Sequence, residues 1–498
     1  MTKLQSKEQS PPTSGNDNHN EKSNDKISES NIPPIEHILF EFEDCSDVVH
    51  YQFEDIHIDL VYFDHLVDSF ELDRDIITPL QHINKEEELS HLWNRSIFRR
   101  SHEYKEVIKS ILSGSVAVIY GHEMYTVNIF GPQMRSIDKS ETEATIIGSH
   151  EAFIESIDIN LSLIRRRLKS SHLKVIRLEA GEVTKTSISL VYIKDLVNQE
   201  FVAELKKRIE AIEFDYITDS NMFVQLIDDY PFSIFPQFLT TERPEVAVTK
   251  LSSGKVIGLV DGSPSIFIAP TNFFEFFQSP DDISQRWVIG TATKWLRYAA
   301  FFITLTFTSF YVSVTTFHYE MIPETLLLSL GESRNQVPFP PLIEAMVMEF
   351  TIELLREAGA RLPSKIGQTI GIVGGIVIGQ AAVEAGLVSN TLIIAVAISA
   401  IASFVMPNYL LSAALRIARF LLIILAGFLG NLGLIIGIAF IVSHLAKVTN
   451  INMPYLSPAA PIHFHDWKTA FIRAPFIMLK DRPHDAKSPN TVKSQVKE

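Results

Sequence analysis

Tyr298–Phe317 reads YAAFFITLTFTSFYVSVTTF, twenty residues without a charged side chain. At about 1.5 Å per residue a helix of that length crosses about 30 Å of hydrocarbon, so this stretch predicts a membrane span. On its N-terminal side stand Arg286, Lys294 and Arg297, and on its C-terminal side Glu320, Glu324 and Glu332. Cations collect on the cytoplasmic flank of spans, which places everything before Arg286 in the cytoplasm. Upstream, charged residues occur throughout. Downstream to Ser443 the text is mostly Leu, Ile, Ala, Val and Gly. The chain therefore reads as an α/β N-terminal aqueous domain followed by an all-α polytopic membrane domain, divided as 1–45, 46–150, 151–290, 291–448 and 449–498.

Three more spans are expected, at about 366–387, 391–406 and 420–443. In the first, Gly367, Gly371, Gly375 and Gly379 recur every fourth residue, a stripe suited to close helix packing or an oligomer axis. Gln380 and Glu384 lie on the same helix, where a carboxylate is costly to bury in lipid. Pro407-Asn408 interrupts the next run, and Arg416 and Arg419 follow it, on the outer side if both termini are cytoplasmic. Residues 342–361 alternate Glu344, Glu349, Glu353 and Glu357 with apolar side chains at helical spacing. This amphipathic helix is expected on the membrane surface with its acids in water; lining a cation path is the functional alternative. After the last span Lys447, Lys468, Arg473, Lys480 and Arg482 outnumber Asp466 and Asp481, so the C-terminal tail is placed in the cytoplasm and the number of crossings is even.

In the aqueous half two texts repeat. Ile58-Asp59-Leu60-Val61-Tyr62-Phe63-Asp64 is matched 130 residues later by Ile188-Ser189-Leu190-Val191-Tyr192-Ile193-Lys194, and Leu112-Ser113-Gly114 is matched 140 later by Ser252-Ser253-Gly254. Each pair reads as a strand, a helical crossover and a Gly-led hairpin, so the domain is two related α/β subdomains. A helix is expected over Glu151–Leu168, closed by Arg165, Arg166 and Arg167, either a dipole-favoured helix end or an anionic partner surface. Residues 1–33 are polar and too poor in apolar side chains to fold, and a disordered tail is expected over 1–45.

A net charge of -15 leaves no basic surface for nucleic acid. The single cysteine, Cys45, excludes a disulfide framework and multi-cysteine metal sites, in keeping with a reducing compartment. His463-Phe464-His465-Asp466 lacks further ligands nearby, so no metal and no cofactor are expected. Asp64 and Asp261 stand at strand ends, where turn chemistry accounts for them. Phosphate loops and nucleophile elbows do not occur, so the chain is not read as an enzyme.

The text from about residue 45 onward resembles the A subunits of GerA-type nutrient germinant receptors of endospore-forming bacteria. The matching pieces include Leu60-Val61-Tyr62, Glu141-Thr142-Glu143, Ile164-Arg165-Arg166-Arg167, Pro231-Phe232-Ser233 and Thr241-Glu242-Arg243-Pro244. They continue through Val260-Asp261-Gly262-Ser263-Pro264, Pro338-Phe339-Pro340, Arg356-Glu357-Ala358-Gly359, Ile378 to Gly386, and Pro454-Tyr455-Leu456-Ser457-Pro458. His65, Thr469 and Asn452-Met453 depart from the family's usual text. The resemblance implies a place in the spore inner membrane and assembly with a transporter-like B subunit and a lipoprotein C subunit. It also implies a homo-oligomer, a pentamer among the candidates, that conducts ions when nutrients are sensed. Glu344, Glu349, Glu353, Gln380 and Glu384 then become candidate pore or gating residues. The alternative is a secondary transporter holding a small solute at the Pro407-Asn408 break.

Overall fold

In the computed structural model residues 33–83, 86–131, 143, 145, 147–361 and 377–493 are described. The chain divides into two compact units, one of residues up to 43 with 47–131, the other of 44–46 with 132–498.

The first unit carries a five-stranded sheet built from β1 (Val48–Phe53), β2 (Ile58–Phe63), β3 (Phe98–Ser101), β4 (Ser115–Tyr120) and β5 (Glu123–Asn128), in the order β1-β2-β4-β5-β3. Helices α1 (Pro34–Glu41), α2 (Glu86–Trp93) and α3 (Tyr104–Ile111) accompany it. Alternate strand residues Ile58, Leu60, Val116 and Val118 form its core with Leu89, Leu92 and Phe98, as the two-residue period of a strand requires.

The second unit opens with α4 (Ile157–Arg167), β6 (Leu173–Ala180), β7 (Thr186–Ile193), α5 (Gln199–Glu210), α6 (Ser220–Ile227), β8 (Leu239–Thr241), α7 (Pro244–Ser252), β9 (Val256–Val260) and β10 (Ile266–Ala269). Its sheet order, β6-β7-β9-β10-β8, repeats that of the first unit strand for strand. Ile58 faces Tyr120 across the first sheet and Ile188 faces Val260 across the second, the same register at the offsets seen in the sequence. The two α/β subdomains are thus copies of one topology.

The tightest shared point is a glycine after the crossover helix. Gly114 and Gly254 have φ of 89° and 90°, and a Cβ on them would stand 3.1 Å from the Leu66 carbonyl and 2.6 Å from the Leu196 carbonyl, themselves equivalent positions. Positive φ and the backbone approach both demand glycine. Gly254→Ala is expected to cost about 1–3 kcal/mol, read as a lower thermal unfolding temperature of the detergent-solubilised full chain. An unchanged transition would mean that this turn relaxes freely.

The helix expected from Glu151 begins instead at Ile157. Asn160 explains the late start, because its side chain accepts from the Ile154 amide at 2.8 Å and donates to the Ile154 carbonyl at 2.5 Å, holding that peptide outside the helix. Asp261 accepts from the Ile157 amide at 3.4 Å, a capping role. Of the arginine run, Arg165 is buried, while Arg166 and Arg167 pair with Glu151; that contact fits the helix-end reading rather than a partner surface.

The remaining helices are α8 (Trp287–Phe317), α9 (Glu324–Arg334), α10 (Pro341–Ala360), a helical stretch at 377–384, α11 (Asn390–Phe404) and α12 (Tyr409–Lys447). Gly367, Gly371 and Gly375 lie outside the described residues. Pro407 has no amide proton to donate and Asn408 caps the next helix by accepting from the Leu411 amide at 2.9 Å, so α11 ends and α12 begins where the sequence predicted a break.

The expected single span at 420–443 is not one helix. Gly430 has φ 64° and ψ −144° inside α12. Beyond it a Cβ at Gly433 would overlap the Leu425 carbonyl, and one at Gly437 the Leu422 side chain. In a straight helix residues eight and fifteen apart are separated by about 12 and 22 Å. The chain therefore doubles back at Gly430, and α12 is a hairpin of two antiparallel arms packed through glycine. Its tip meets the end of α8, where Ser313 donates to the Asn431 side chain at 2.7 Å.

The segment after α12, expected to be a polar tail, folds back onto the second subdomain. Tyr455 is fully buried and donates to the Pro236 carbonyl, and the Thr271 amide donates to the Asn450 side chain at 2.8 Å. Deeper still, the Lys255 ammonium donates to Glu275 at 2.7 Å, to the Pro270 carbonyl at 2.7 Å and to Asp485 at 3.1 Å. A backbone that can bury Tyr455, Ala486 and Asp485 with partners has no reason to stay solvated.

Candidate functional site

Of the four acids of the amphipathic helix, expected in water, only Glu357, which pairs with Arg361, is exposed. Glu344 and Glu349 on α10 are 1% and 0% exposed, inside the bundle of α8, α10, α11 and α12. Each of three α10 carboxylates meets an arginine. Glu349 and Arg419 approach to 2.7 Å, Glu353 and Arg416 to 3.0 Å, and Glu344 and Arg334 to 3.3 Å. The arginines expected on the outer side are therefore internal, 6% and 0% exposed for Arg416 and Arg419. Their three-residue spacing on the first arm of α12 fits the four-residue spacing of Glu349 and Glu353 on α10, since both spacings keep side chains on one helix face.

One further hydrogen bond reaches each member of the central pair. Thr308 on α8 donates to Glu349 at 2.8 Å, and Arg419 donates to Ser399 on α11 at 2.9 Å. Four helices thus converge on one ion pair. A buried pair recovers its desolvation cost only when further hydrogen bonds satisfy both ions, and here Thr308 and Ser399 contribute to that.

These contacts also fix the direction of each helix. Tyr311 reaches Ser389 and Thr391 at 3.2 and 3.0 Å, whereas Ser399 donates to the Thr304 carbonyl at 3.3 Å, so α11 runs antiparallel to α8. Glu344 accepts from the Ser389 amide at 3.1 Å and Arg356 donates to Ser403 at 2.8 Å, so α10 runs parallel to α11. Tyr409 lies ten residues before Arg419 and Gly430 eleven after it. The pair sits halfway along that arm, about 15 Å of helix from either end.

Gln380 donates to Glu384 at 3.0 Å, and both line a cleft between α10 and α11 together with Arg356, whose guanidinium stacks on Phe404 at 4.6 Å. Gly379 faces Ile393. The structure brings Glu344, Glu349 and Glu353 into one network and leaves Gln380 and Glu384 outside it. The pairing of these arginines with the α10 acids was absent from the sequence reading. Their signal was present, two cations one helical turn apart in an apolar run that answer two acids one turn apart in another. His463 and His465 join no metal-type cluster among the described residues; His463 stacks on His484.

An α/β domain of duplicated antiparallel sheets joined to an apolar helical bundle with an internal ion-pair network defines a class of membrane-associated, two-part proteins. The family model described as Bacillus/Clostridium GerA spore germination protein matches residues 36–485, and the chain belongs to that family. It is 43% identical to Spore germination protein GerQA of Bacillus cereus, over 77% of each chain. It is 36% identical to Spore germination protein KA of Bacillus subtilis (strain 168), over 88% of this chain and 82% of that one. The identity to the Uncharacterized membrane protein YfkQ of the same strain is also 36%, over 90% of each. Among solved structures, the N-terminal domain of the A subunit of the Bacillus megaterium spore germinant receptor GerK3 aligns at 26% identity over 48% of this chain and 94% of that one, with a TM-score of 0.37.

Proposed function

We propose that this chain is the A subunit of a nutrient germinant receptor, set in the spore inner membrane with its α/β domain in the cytoplasm. In this reading it assembles with a transporter-like B subunit, a lipoprotein C subunit and further copies of itself, and it contributes to a nutrient-gated path for cations. The role is not enzymatic. Germination proteins among the relatives support the biological setting. Membrane insertion is supported, among the described residues, by α8 and by the apolar run of α12, whose two arms fold at Gly430, and by a relative named as a membrane protein. In this reading α8, α10, α11 and the two arms of α12 cross, and the span expected at 366–387, most of it outside the described residues, is counted as the sixth pass. Six keeps both ends of the bundle on one side, as an even count requires.

The observation that carries the conducting role is the Glu349–Arg419 pair at mid-depth. Ionisable groups at that depth are expensive and are kept where charge moves or a state is switched. A conformational signal that parts the pair exposes a carboxylate row, Glu344, Glu349 and Glu353, that attracts cations. The test is ionic conductance of the purified chain in a planar bilayer, alone and with its partner subunits. Conductance that changes in Glu349→Gln and Glu353→Gln is the expected result. No conductance in either setting, from protein that assembles normally, would remove the ion path and leave a scaffolding subunit.

A further inference from the structure

At the base of α8 a cavity of about 390 Å³ opens between α7, the first turns of α8 and the C-terminal segment. Its inner wall holds Lys250 and Lys255, which are answered by Glu275 and Asp485 at 2.7–3.1 Å. A second wall holds Lys294, Lys468 and Arg473, and none of these has a carboxylate in ion-pair distance among the described residues. Lys294 is 4% exposed and donates only to the Thr469 carbonyl, at 2.5 Å. Arg473 donates to the carbonyls of Asp282, Ile283 and Ala474 at 3.0–3.2 Å. The other acids of the lining are engaged: Asp282 by Arg297 at 2.6 Å, and Asp466 by the His484 amide at 2.9 Å. Lys493 also belongs to the lining and has no such partner among the described residues, so four unanswered cations share one cavity in a chain of net charge -15.

The apolar rim has Phe476 in the cavity lining, with Ile477 and Met478 next to it in the chain and Trp287 and Trp295 on α8; these five are 48–62% exposed. Trp295 donates to the Phe471 carbonyl at 3.0 Å, and Thr291 to the Arg473 carbonyl at 3.4 Å, so α8 and the C-terminal segment carry this rim together. Arg473 stacks on Phe476 at 4.1 Å. Three of the four tryptophans in the protein, Trp287, Trp295 and Trp467, lie on this α8-to-tail face. Tryptophan and basic residues beside an apolar helix mark the headgroup level of a bilayer, and Lys294 stands four residues before the uncharged run begins.

We infer that this cavity binds the phosphate-bearing headgroup of an anionic phospholipid, with Lys294, Lys468 and Arg473 facing the phosphate and Phe476–Met478 lying against the acyl chains. The inference rests on the membrane reading. The apolar rim favours lipid over free phosphate, because a soluble anion has no use for exposed Phe476, Ile477 and Met478.

The test uses the purified full chain in detergent, titrated separately with short-chain phosphatidylglycerol, short-chain phosphatidylcholine and inorganic phosphate, read by tryptophan fluorescence and native mass spectrometry. Phosphatidylglycerol is expected to bind and the other two not to compete with it. Each surface cation adds about 1 kcal/mol to attraction for anionic lipid, so half-buried Lys468 changed to Gln should weaken binding about 5-fold and Lys468→Glu about 30-fold. The Lys468 side chain makes no hydrogen bond or ion pair among the described residues, so both variants should unfold at the parent temperature. Phosphatidylglycerol binding equal in Lys468→Glu and parent would overturn the site, and so would inorganic phosphate displacing the lipid. A chain that stays monodisperse without detergent would sink the membrane reading itself, a result distinct from a detergent-requiring chain that ignores the lipid.

Discussion

Arg419→Met should be the most damaging single change in the helical bundle, lowering stability by about 3–5 kcal/mol. The guanidinium and the Glu349 carboxylate are both 0% exposed and 2.7 Å apart. Without Arg419 the carboxylate keeps the Thr308 hydroxyl but no counter-charge, in a place that water does not reach. Glu349→Leu should cost a comparable amount for the mirrored reason, since it leaves a buried guanidinium held by Ser399. The double variant should recover much of the loss, because replacing both ions by apolar groups of similar size avoids their desolvation. Thermal unfolding of the four proteins in one detergent checks this. Single losses that simply add in the double variant would show that the two residues do not act as a pair.

The second large effect is expected where the chain's end is fastened. Lys255→Met removes the ammonium that ties Glu275 on one side to Asp485 on the other, both buried, and should cost about 3–5 kcal/mol. The accompanying readout is faster proteolysis within 449–493, since Asp485 holds that segment down. The pH dependence has a defined sign. Burial alone would lower Lys255, but Asp485 and Glu275 outweigh it and hold the ammonium above its usual range. Burial alone would raise Asp485, but Lys255, Lys250 and Asn272 hold the carboxylate below its usual range. A raised lysine stabilises fully below its unfolded value of about 10.4, and that is lost as pH rises through the folded value; a depressed aspartate stabilises above about 3.9, and that is lost as pH falls through the folded value. The gap between parent and Lys255→Met should therefore stay level from about pH 5 to 9 and shrink beyond either end. A gap that closes near neutrality would contradict the triad.

Much of this architecture was legible in the sequence because it is written in periods and offsets. The repeats at 130 and 140 residues located equivalent strands, since buried strands carry dense β-branched text and Gly114 and Gly254 are fixed by backbone geometry. The Pro407-Asn408 break was legible for a similar reason, as proline's missing donor and asparagine's cap are local chemistry. What stayed hidden is non-local. Nothing in the text around Glu349 says that Arg419 lies across from it, seventy residues away, and α10 read alone is amphipathic enough for a membrane surface. Nothing in the text sets Gly430 apart from Gly427, Gly433 and Gly437, because a hairpin and a smooth glycine-lined helix share one hydropathy profile. Asp485 sits in a stretch whose polar text resembles a solvated tail until the matching Lys255 is known. Of the candidate site residues, Glu344, Glu349 and Glu353 fall on one helix and in one network, but the arginines that define their environment could come only from the fold.

The return of the C-terminal segment onto the second sheet has a mechanical consequence. The polypeptide enters the bundle at Trp287 and leaves it at Lys447, and both ends are bolted to the same body, through Arg297–Asp282 at one and Asn450–Thr271 with Lys255–Asp485 at the other. A twist of that body is transmitted at two anchor points instead of one, so α8 and the second arm of α12 must shift in concert, like the two legs of a staple set in a single plate.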